Sequence, residues 1–370
     1  MHWSGRRKYG GPPSVDVEIV ALNGWGSPSA AVVKRHVNYS KMLNEKTGNL
    51  SKLAILTQTV DQQLIDSPDL KFTHMKRMFP SFLNSLNFLL YASISKYKIF
   101  SFPDPFLYSS FYSLFPSKTF FQVQCHGDFG DKDWKRSNLK NFILSRMAKI
   151  SLSRASQVRC VGKTQARKII EAYKISPAKV IVAPIPTVDM AILPRWVKPT
   201  IPEVVFLGRL HPERDLDAWA SVAKEIYIRR SDVTFLIIGE GQERKRFANL
   251  LSNIPKQNIN FVGKLDNLEA LSRVAKSSVL LSTAPLESYG MALVESAKLG
   301  IPIVSRPTAG ALDLSESYDS IFLGTTVKEN TDLVLNALKI EKIGVIAPSN
   351  YLATEVEATE AIVNAWIKLL

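Results

Sequence analysis

Between positions 184 and 202 the chain places five prolines, Pro184, Pro186, Pro194, Pro199 and Pro202. That density excludes a helix interior and a central strand alike, because each proline removes a backbone donor and fixes its own φ. The segment reads as a connection, and the same pattern stands on either side of it. Before it, short β-rich apolar runs at 15–22, 53–57, 98–102, 119–125, 158–161 and 180–183 alternate with amphipathic stretches at 34–46, 75–93, 137–152 and 164–173. After it, runs at 204–207, 234–238, 259–262, 279–282, 301–305 and 320–322 alternate with helical stretches such as 216–229 and 242–251. Such alternation predicts parallel sheets wound with helices on both faces. With 370 residues, too many for one ordinary core, the expected fold class is α/β, two Rossmann-like doubly wound domains facing a cleft. The boundaries expected are 1–190 for the first domain, 191–350 for the second, and 351–370 for a final amphipathic helix.

Charge separates the two halves. Residues 1–195 carry 28 Lys and Arg against 12 Asp and Glu, whereas residues 196–370 carry 19 against 21. A basic half suits an anionic partner, whether nucleic acid, a phosphate-bearing substrate or an anionic membrane surface. Nucleic acid is set aside, since the basic residues form no known binding motif and have no row of aromatics among them. No run approaches the ~20 uncharged apolar residues of a membrane span. The first residues, Met1 to Lys8, have no apolar signal-peptide core behind them, so the expected location is cytoplasmic, peripheral on the inner membrane face if the basic half binds lipid. The stretch 75–91 mixes basic and large apolar residues, as a lipid-facing surface would and as a core-facing helix with lysines at its rim also would. Cys125 and Cys160 make neither a disulfide framework nor a zinc spacing and read as reduced core residues. Asp131 and Asp133 sit in a charged loop without a nucleotide-binding context, and no metal is assigned to them.

The chemistry concentrates in the second half. Glu287 and Glu295 stand eight positions apart, between the apolar run 279–282 and Gly300. One falls in the loop at the carboxyl end of a parallel strand, where open α/β sheets bind ligands, and the other in the first turns of the next helix. Glu295 follows Gly290 by five residues, about 7 Å along a helix axis, so both carboxylates can reach one ligand. A buried helix start would also carry such an acid, favoured by the dipole. Arg209 follows the first strand of the second series and Arg214 precedes the helix opening at Asp215-Leu216. Guanidinium forks match phosphate oxygens, and helix amino termini aim unpaired N–H groups at the same anion.

Five segments recur in one order: Phe206-Leu-Gly208-Arg209-Leu, Ile237-Ile-Gly239-Glu240-Gly241, Phe261-Val-Gly263, the two glutamates, and Gly300-Ile-Pro302-Ile-Val. With them the stretch 204–305 resembles the donor-binding domain of glycosyltransferase family 4, glycosyl transferases group 1 enzymes of the GT-B fold. In the first half, Phe102-Pro-Asp104-Pro-Phe106 resembles a segment of polysaccharide-building members, and Gln124-Cys-His126-Gly127 runs from a strand into a turn as theirs does. The resemblance implies a retaining, metal-independent transferase that moves a sugar from a nucleotide diphosphate sugar, its co-substrate, to a carbohydrate or lipid-linked acceptor in making cell-surface or exported polysaccharide. It implies no cofactor besides. Glu287 and His126 would lie by the transferred sugar, Arg209 and Arg214 by the diphosphate, and Glu295 would accept from the ribose hydroxyls. Gly263 would pass the base and ribose, and the backbone N–H groups of Tyr289, Gly290, Met291 and Ala292 would hold sugar or phosphate oxygens. The final helix would cross back to the first domain. Three places depart from the family pattern: Arg214 and Asp215 replace its Lys and Gly, Asn23 to Ser27 replace paired glycines, and Tyr289 stands where Phe is usual. The alternatives are a sugar-nucleotide epimerase or hydrolase on the same architecture, and a basic binding protein for membrane or nucleic acid that has lost catalysis.

Overall fold

In a computed structural model, described for residues 17–22, 30–48, 52–57, 71–74, 98–114, 119–187, 194–346 and 353–370, the chain forms α/β structure of the expected class. It divides into two compact units, one of residues up to Cys160 with Ile169–Ile181 and Thr359–Leu370, the other of Val161–Lys168 and Val182–Ala358.

Through the first sheet the elements run β1 (Val17–Leu22), α1 (Ala30–Thr47), β2 (Lys52–Thr57), β3 (Lys71–His74), β4 (Ile99–Phe102), α2 (Leu107–Ser113), β5 (Phe120–Cys125), α3 (Lys132–Arg136), α4 (Leu139–Arg154), β6 (Gln157–Cys160), α5 (Lys163–Tyr173) and β7 (Val180–Val182). Its strands stand in the order β3-β2-β1-β4-β5-β6-β7, with β1 pairing in parallel to both β2 and β4. Every residue of β4 and of β6 is buried, as expected of strands covered on both faces. Cys125 and Cys160 are register neighbours, both buried free thiols.

The second series runs β8 (Glu203–Leu207), α6 (Leu216–Arg229), β9 (Thr234–Ile238), α7 (Arg244–Leu250), β10 (Ile259–Gly263), α8 (Asn267–Val274), β11 (Val279–Ser282), α9 (Met291–Leu299), β12 (Ile303–Ser305), α10 (Ala309–Ser315), β13 (Ile321–Leu323), α11 (Val327–Ala337) and α12 (Glu355–Ile367). Its sheet order is β10-β9-β8-β11-β12-β13, and each neighbouring pair is parallel. The period of two sorts its side chains: Val204 and Phe206 join Trp219, Phe235 and Phe247 on one face, while Val205 joins Leu236, Leu280, Val294 and Ile303 on the other. The strand order reverses between β8 and β11, a topological switch point at which loops after the strands diverge and leave a crevice.

Three differences from the sequence reading have physical reasons. Prolines bar periodic structure but not packing: Trp196, inside the proline-rich stretch, is buried in the second unit, its indole N–H donating to Ser277 O at 2.7 Å and its backbone N–H to Leu299 O at 2.8 Å. Strand β3 and helix α2 are too short to carry a periodic signal and escaped notice. Asp131 is the N-cap of α3, accepting from the backbone N–H of Asp133 and of Trp134, so the pair reads as a helix start instead of a loop. The helix expected at 75–93 and the segment Asn23 to Ser27 lie outside the described residues. From Thr359 onward helix α12 belongs to the first unit, where Trp366 is buried edge-on to Tyr39 and Glu360 pairs with Lys46 at 2.7 Å.

Candidate functional site

The switch point of the second sheet gathers the residues singled out by motif. Arg214 ends a short 3-10 turn, Pro212–Arg214, after β8, and its Nη1 donates to Glu287 Oε1 in the loop after β11 at 2.8 Å. Both side chains are largely withdrawn from water, the arginine 22% and the glutamate 14% exposed, which strengthens their attraction. Thr283, just past β11, locks the two loops by donating its hydroxyl to the carbonyls of Arg214 and Asp215 at 3.1 and 3.0 Å. The carbonyl of Glu287 in turn accepts from Gly310 N at 2.9 Å, which ties in the start of α10.

Asp215 explains its own departure from glycine. Its φ of 48° is left-handed, a conformation that glycine adopts without cost and that aspartate tolerates better than most residues. Its carboxylate caps α6, accepting from Ala218 N at 3.2 Å, and pairs with Arg306 at 2.9 Å. Arg306, directly after β12, is a site residue that the sequence reading missed. A single arginine after a short strand has no pattern to betray it. The Nε atoms of Arg214, after β8, and of Arg306, after β12, are both buried without a hydrogen-bond partner.

Arg209 is placed differently. Its guanidinium is 72% exposed and pairs with Glu213 at 2.5 Å, a surface ion pair and not part of the Arg214–Glu287 contact.

Helix α9 supplies the other predicted groups. Gly290 is its N-cap at φ 75°, and the backbone N–H groups of Met291 and Ala292 open the helix, where an α-helix leaves its donors without acceptors of its own. The Tyr289 side chain turns inward, packed in the core with its hydroxyl donating to Ile185 O at 3.3 Å, so its ring is not offered to a ligand. Glu295, 6% exposed, accepts from Asn267 Nδ2 of α8 at 3.2 Å. Burial raises its pKa above the ordinary carboxylate value, with the Asn267 hydrogen bond and Lys298 opposing the shift. Gly263 ends β10, and its carbonyl accepts from Gly239 N at 2.8 Å. Gly239 has a steric reason to be glycine: a Cβ there would lie 1.8 Å from Gly208 O, with φ at 141°.

In the first unit His126 follows β5 directly, its ring exposed and its Nε2 3.0 Å from Gln124 Oε1. Desolvation at the crowded strand end, then Arg159 and Arg35, lower its pKa; the ring's exposure to water moderates that shift and the direction stands. Asp104 is engaged locally, accepting from Phe106 N at 2.8 Å.

The arrangement can hold an anion against guanidinium and helix-start donors while offering carboxylates to hydroxyl groups. A family model described as Glycosyl transferases group 1 matches residues 195–343. The chain is 28% identical over 112 residues to 2-deoxystreptamine N-acetyl-D-glucosaminyltransferase of Niallia circulans, covering 30% of this chain and 29% of that protein. It is 32% identical over 120 residues to GDP-mannose-dependent alpha-(1-6)-phosphatidylinositol dimannoside mannosyltransferase of Mycobacterium tuberculosis (strain ATCC 25177 / H37Ra), covering 31% and 30%. The matched stretch thus spans under a third of each of these two relatives. In fold it is similar to Anabaena Alr3699/HepE, crystallised in complex with UDP-glucose, at a TM-score of 0.66 and 14% identity over 94% of both chains.

Proposed function

We propose, for a chain whose fold is GT-B and whose second unit carries a glycosyl transferases group 1 domain over residues 195–343, a retaining glycosyltransferase that uses a nucleotide diphosphate sugar. The observation that carries this reading is the Arg214–Glu287 pair at 2.8 Å, set at the switch point of a parallel sheet. A departing diphosphate needs positive charge where its negative charge grows. Arg214 offers it from a nearly buried position, and Arg306, through Asp215, stands at the same strand ends. Fixed guanidinium groups serve here in the place of a metal ion. Glu295 receives the ribose hydroxyls, the start of α9 receives sugar or phosphate oxygens, and Glu287 lies by the sugar itself. The diphosphate, once it begins to leave, takes the acceptor hydroxyl's proton, so that the new bond forms on the face from which the old one breaks.

The acceptor in this reading is a carbohydrate or a lipid-linked sugar met at a membrane face, in the making of cell-surface polysaccharide. No described helix is long and apolar enough to cross a membrane. Helix α4, however, exposes Leu139, Phe142, Ile143 and Ile150 on one face, with Leu139 74% exposed. Lys140, Arg146 and Lys149 are exposed around them, and the chain has ten Lys and Arg and no acid between Asp133 and Glu171. An apolar stripe set in positive charge fits the surface of an anionic bilayer.

A thermal-shift panel of uridine, guanosine and adenosine diphosphate sugars tests the central claim. One base class should stabilise the native protein, and Glu295→Ala should abolish most of that gain. Turnover of donor in the absence of any acceptor, with no transfer when acceptors are added, would assign a hydrolase or epimerase instead.

A further inference from the structure

Aromatic rings gather at the carboxyl ends of two neighbouring strands of the first sheet. Phe106 ends the turn between β4 and α2, Phe129 stands in the turn after β5, and Trp134 lies on α3. The Phe106 and Trp134 rings stack, their planes 16° apart and their centroids 6.1 Å apart. Phe129 meets both edge-on, at 4.7 and 5.4 Å. Strand order reverses between β1 and β4, so the turn after β4 borders a switch-point crevice of the kind in which open α/β sheets hold ligands.

The cluster is held at its backbone as well as at its rings. The Phe106 N–H donates to Asp104 at 2.8 Å, and the Phe129 carbonyl accepts from the Tyr173 hydroxyl at 2.8 Å. The Trp134 N–H donates to the Asp131 cap of α3, and its carbonyl accepts from Asn141 Nδ2 at 3.1 Å. Gly127 leaves room for the Phe129 ring, which a Cβ there would approach to 2.6 Å.

Rigid as it is, this cluster is not core. The rings of the second unit, Phe206, Trp219, Phe235 and Phe247, form a comparable group and are at most 4% exposed. The other described tryptophans, Trp196, Trp219 and Trp366, are at most 2% exposed, and each donates its indole N–H, to Ser277 O, Leu281 O and Gln122 Oε1. Phe106, Phe129 and Trp134 are instead all half-buried, and the Trp134 indole N–H meets no acceptor among the described residues. A buried indole needs such a partner; one that keeps its polar edge in water does not.

A fixed, half-open aromatic face with a spare N–H suits one ligand chemistry. A pyranose ring presents a patch of C–H groups whose partly positive hydrogens settle on the negative face of an aromatic ring, while the hydroxyls at its rim accept from donors such as an indole. We infer that Phe106, Phe129 and Trp134 form a carbohydrate subsite of the first unit, with a pyranose ring seated against Trp134. A bilayer draws instead on side chains that stand clear of the surface, as Leu139 and Phe142 do; these three rings are half-withdrawn and locked to one another. Carbohydrate binding here stands on the first unit's geometry alone; only the statement that the sugar is the acceptor rests on the proposed transferase reading.

Protein labelled with 5-fluorotryptophan tests this, the Trp134 19F signal being assigned by its loss in Trp134→Phe. Maltotriose and cellotriose, glucose units joined by α- and β-links, are the probes; glycerol, rich in hydroxyls but without a ring, is the control. At least one trisaccharide should shift the Trp134 signal saturably, and glycerol should not. Saturation-transfer spectra should find the C–H hydrogens of one pyranose face nearest the protein. Trp134→Leu should weaken the trisaccharide about tenfold and Trp134→Tyr by no more than about threefold, with melting temperatures showing that each variant is folded. A Trp134 signal unmoved by either trisaccharide, or moved alike by glycerol, overturns the inference. So does one that responds only to vesicles containing phosphatidylglycerol, which would make Trp134 a membrane contact. If Trp134→Leu fails to fold, the titration of the native protein decides. No donor is present in these titrations: saccharide binding without a response to any nucleotide diphosphate sugar would uphold the subsite and sink the transferase, and a donor response without saccharide binding would do the opposite.

Discussion

Arg214 is held by Glu287 at 2.8 Å, with neither side chain more than 22% exposed. In this state the guanidinium that should receive a diphosphate is already occupied by a carboxylate. Anion and Glu287 compete for one fork of donors. Glu287→Gln removes the competing charge and keeps the shape, so the affinity for a nucleoside diphosphate should rise, by about five- to tenfold for one charged hydrogen bond released. Transfer should fall at the same time, because the carboxylate proposed to lie beside the sugar is gone. Titration calorimetry of native and variant protein checks the first, and a drop in affinity would show that Glu287 does not compete.

Arg306 neutralises an acid where the family pattern has glycine. Arg306→Ala should strand Asp215 beside the phosphate subsite and weaken donor binding about tenfold or more. Removing both, in Arg306→Ala with Asp215→Gly, deletes the two charges together and gives the left-handed position to the residue best suited to it, so affinity should return to within about threefold. A double-mutant cycle on donor dissociation constants measures this. A double variant as poor as the single one would mean that Arg306 touches the ligand itself.

Burial raises the Glu295 pKa, and the sign of its effect on stability follows. Above its unfolded value the native state must ionise a buried acid, so stability falls as pH rises through the shifted pKa. Glu295→Gln should flatten that slope in urea unfolding curves taken between pH 4 and pH 8. Donor binding should run the other way, tightening with pH over the same window, because ribose hydroxyls donate best to the ionised form. Parallel slopes in stability and binding would contradict this.

At Gly239 a methyl group would meet the Gly208 carbonyl at 1.8 Å. Backbone cannot swing aside as a side chain can. Gly239→Ala should cost roughly 3 kcal/mol of stability in the second unit. Urea unfolding reports it, and a loss under about 1 kcal/mol would mean that the two loops separate with ease.

Helix α4 carries the proposed membrane contact. Phe142→Asp with Ile143→Asp should abolish co-sedimentation with vesicles containing phosphatidylglycerol, and vesicles of phosphatidylcholine alone should bind little native protein. Equal binding of the native protein to both would exclude an electrostatic contact.

Much of this was legible from residues alone, for reasons that differ by place. Strands such as 234–238 and 279–282 are continuous apolar runs because both faces of a parallel sheet are covered, and such runs are hard to mistake. Arg214, Glu287 and Glu295 came from spacing within one motif-bearing stretch. Arg306 and Asn267 did not, since each meets its partner only after the sheet brings distant strand ends together. The burial of Gln122 has no signal in the sequence: a polar residue at every second place of a strand normally marks a wet face, and here Gln122 is fully buried. The motif assigns a ligand contact to the Tyr289 backbone and says nothing of its ring, which belongs to the core.

The placing of α12 has a bearing on how the molecule is made. Gln157 and Gln122 complete their bonding with Ala365 and Trp366, which the ribosome adds only after the whole of the other sheet. A nascent first half therefore emerges with unsatisfied amides in its interior, while the later half can close on its own strands. Vectorial synthesis usually lets the leading half finish first; here the buried amides of the early portion gain their last partners only when the tail arrives.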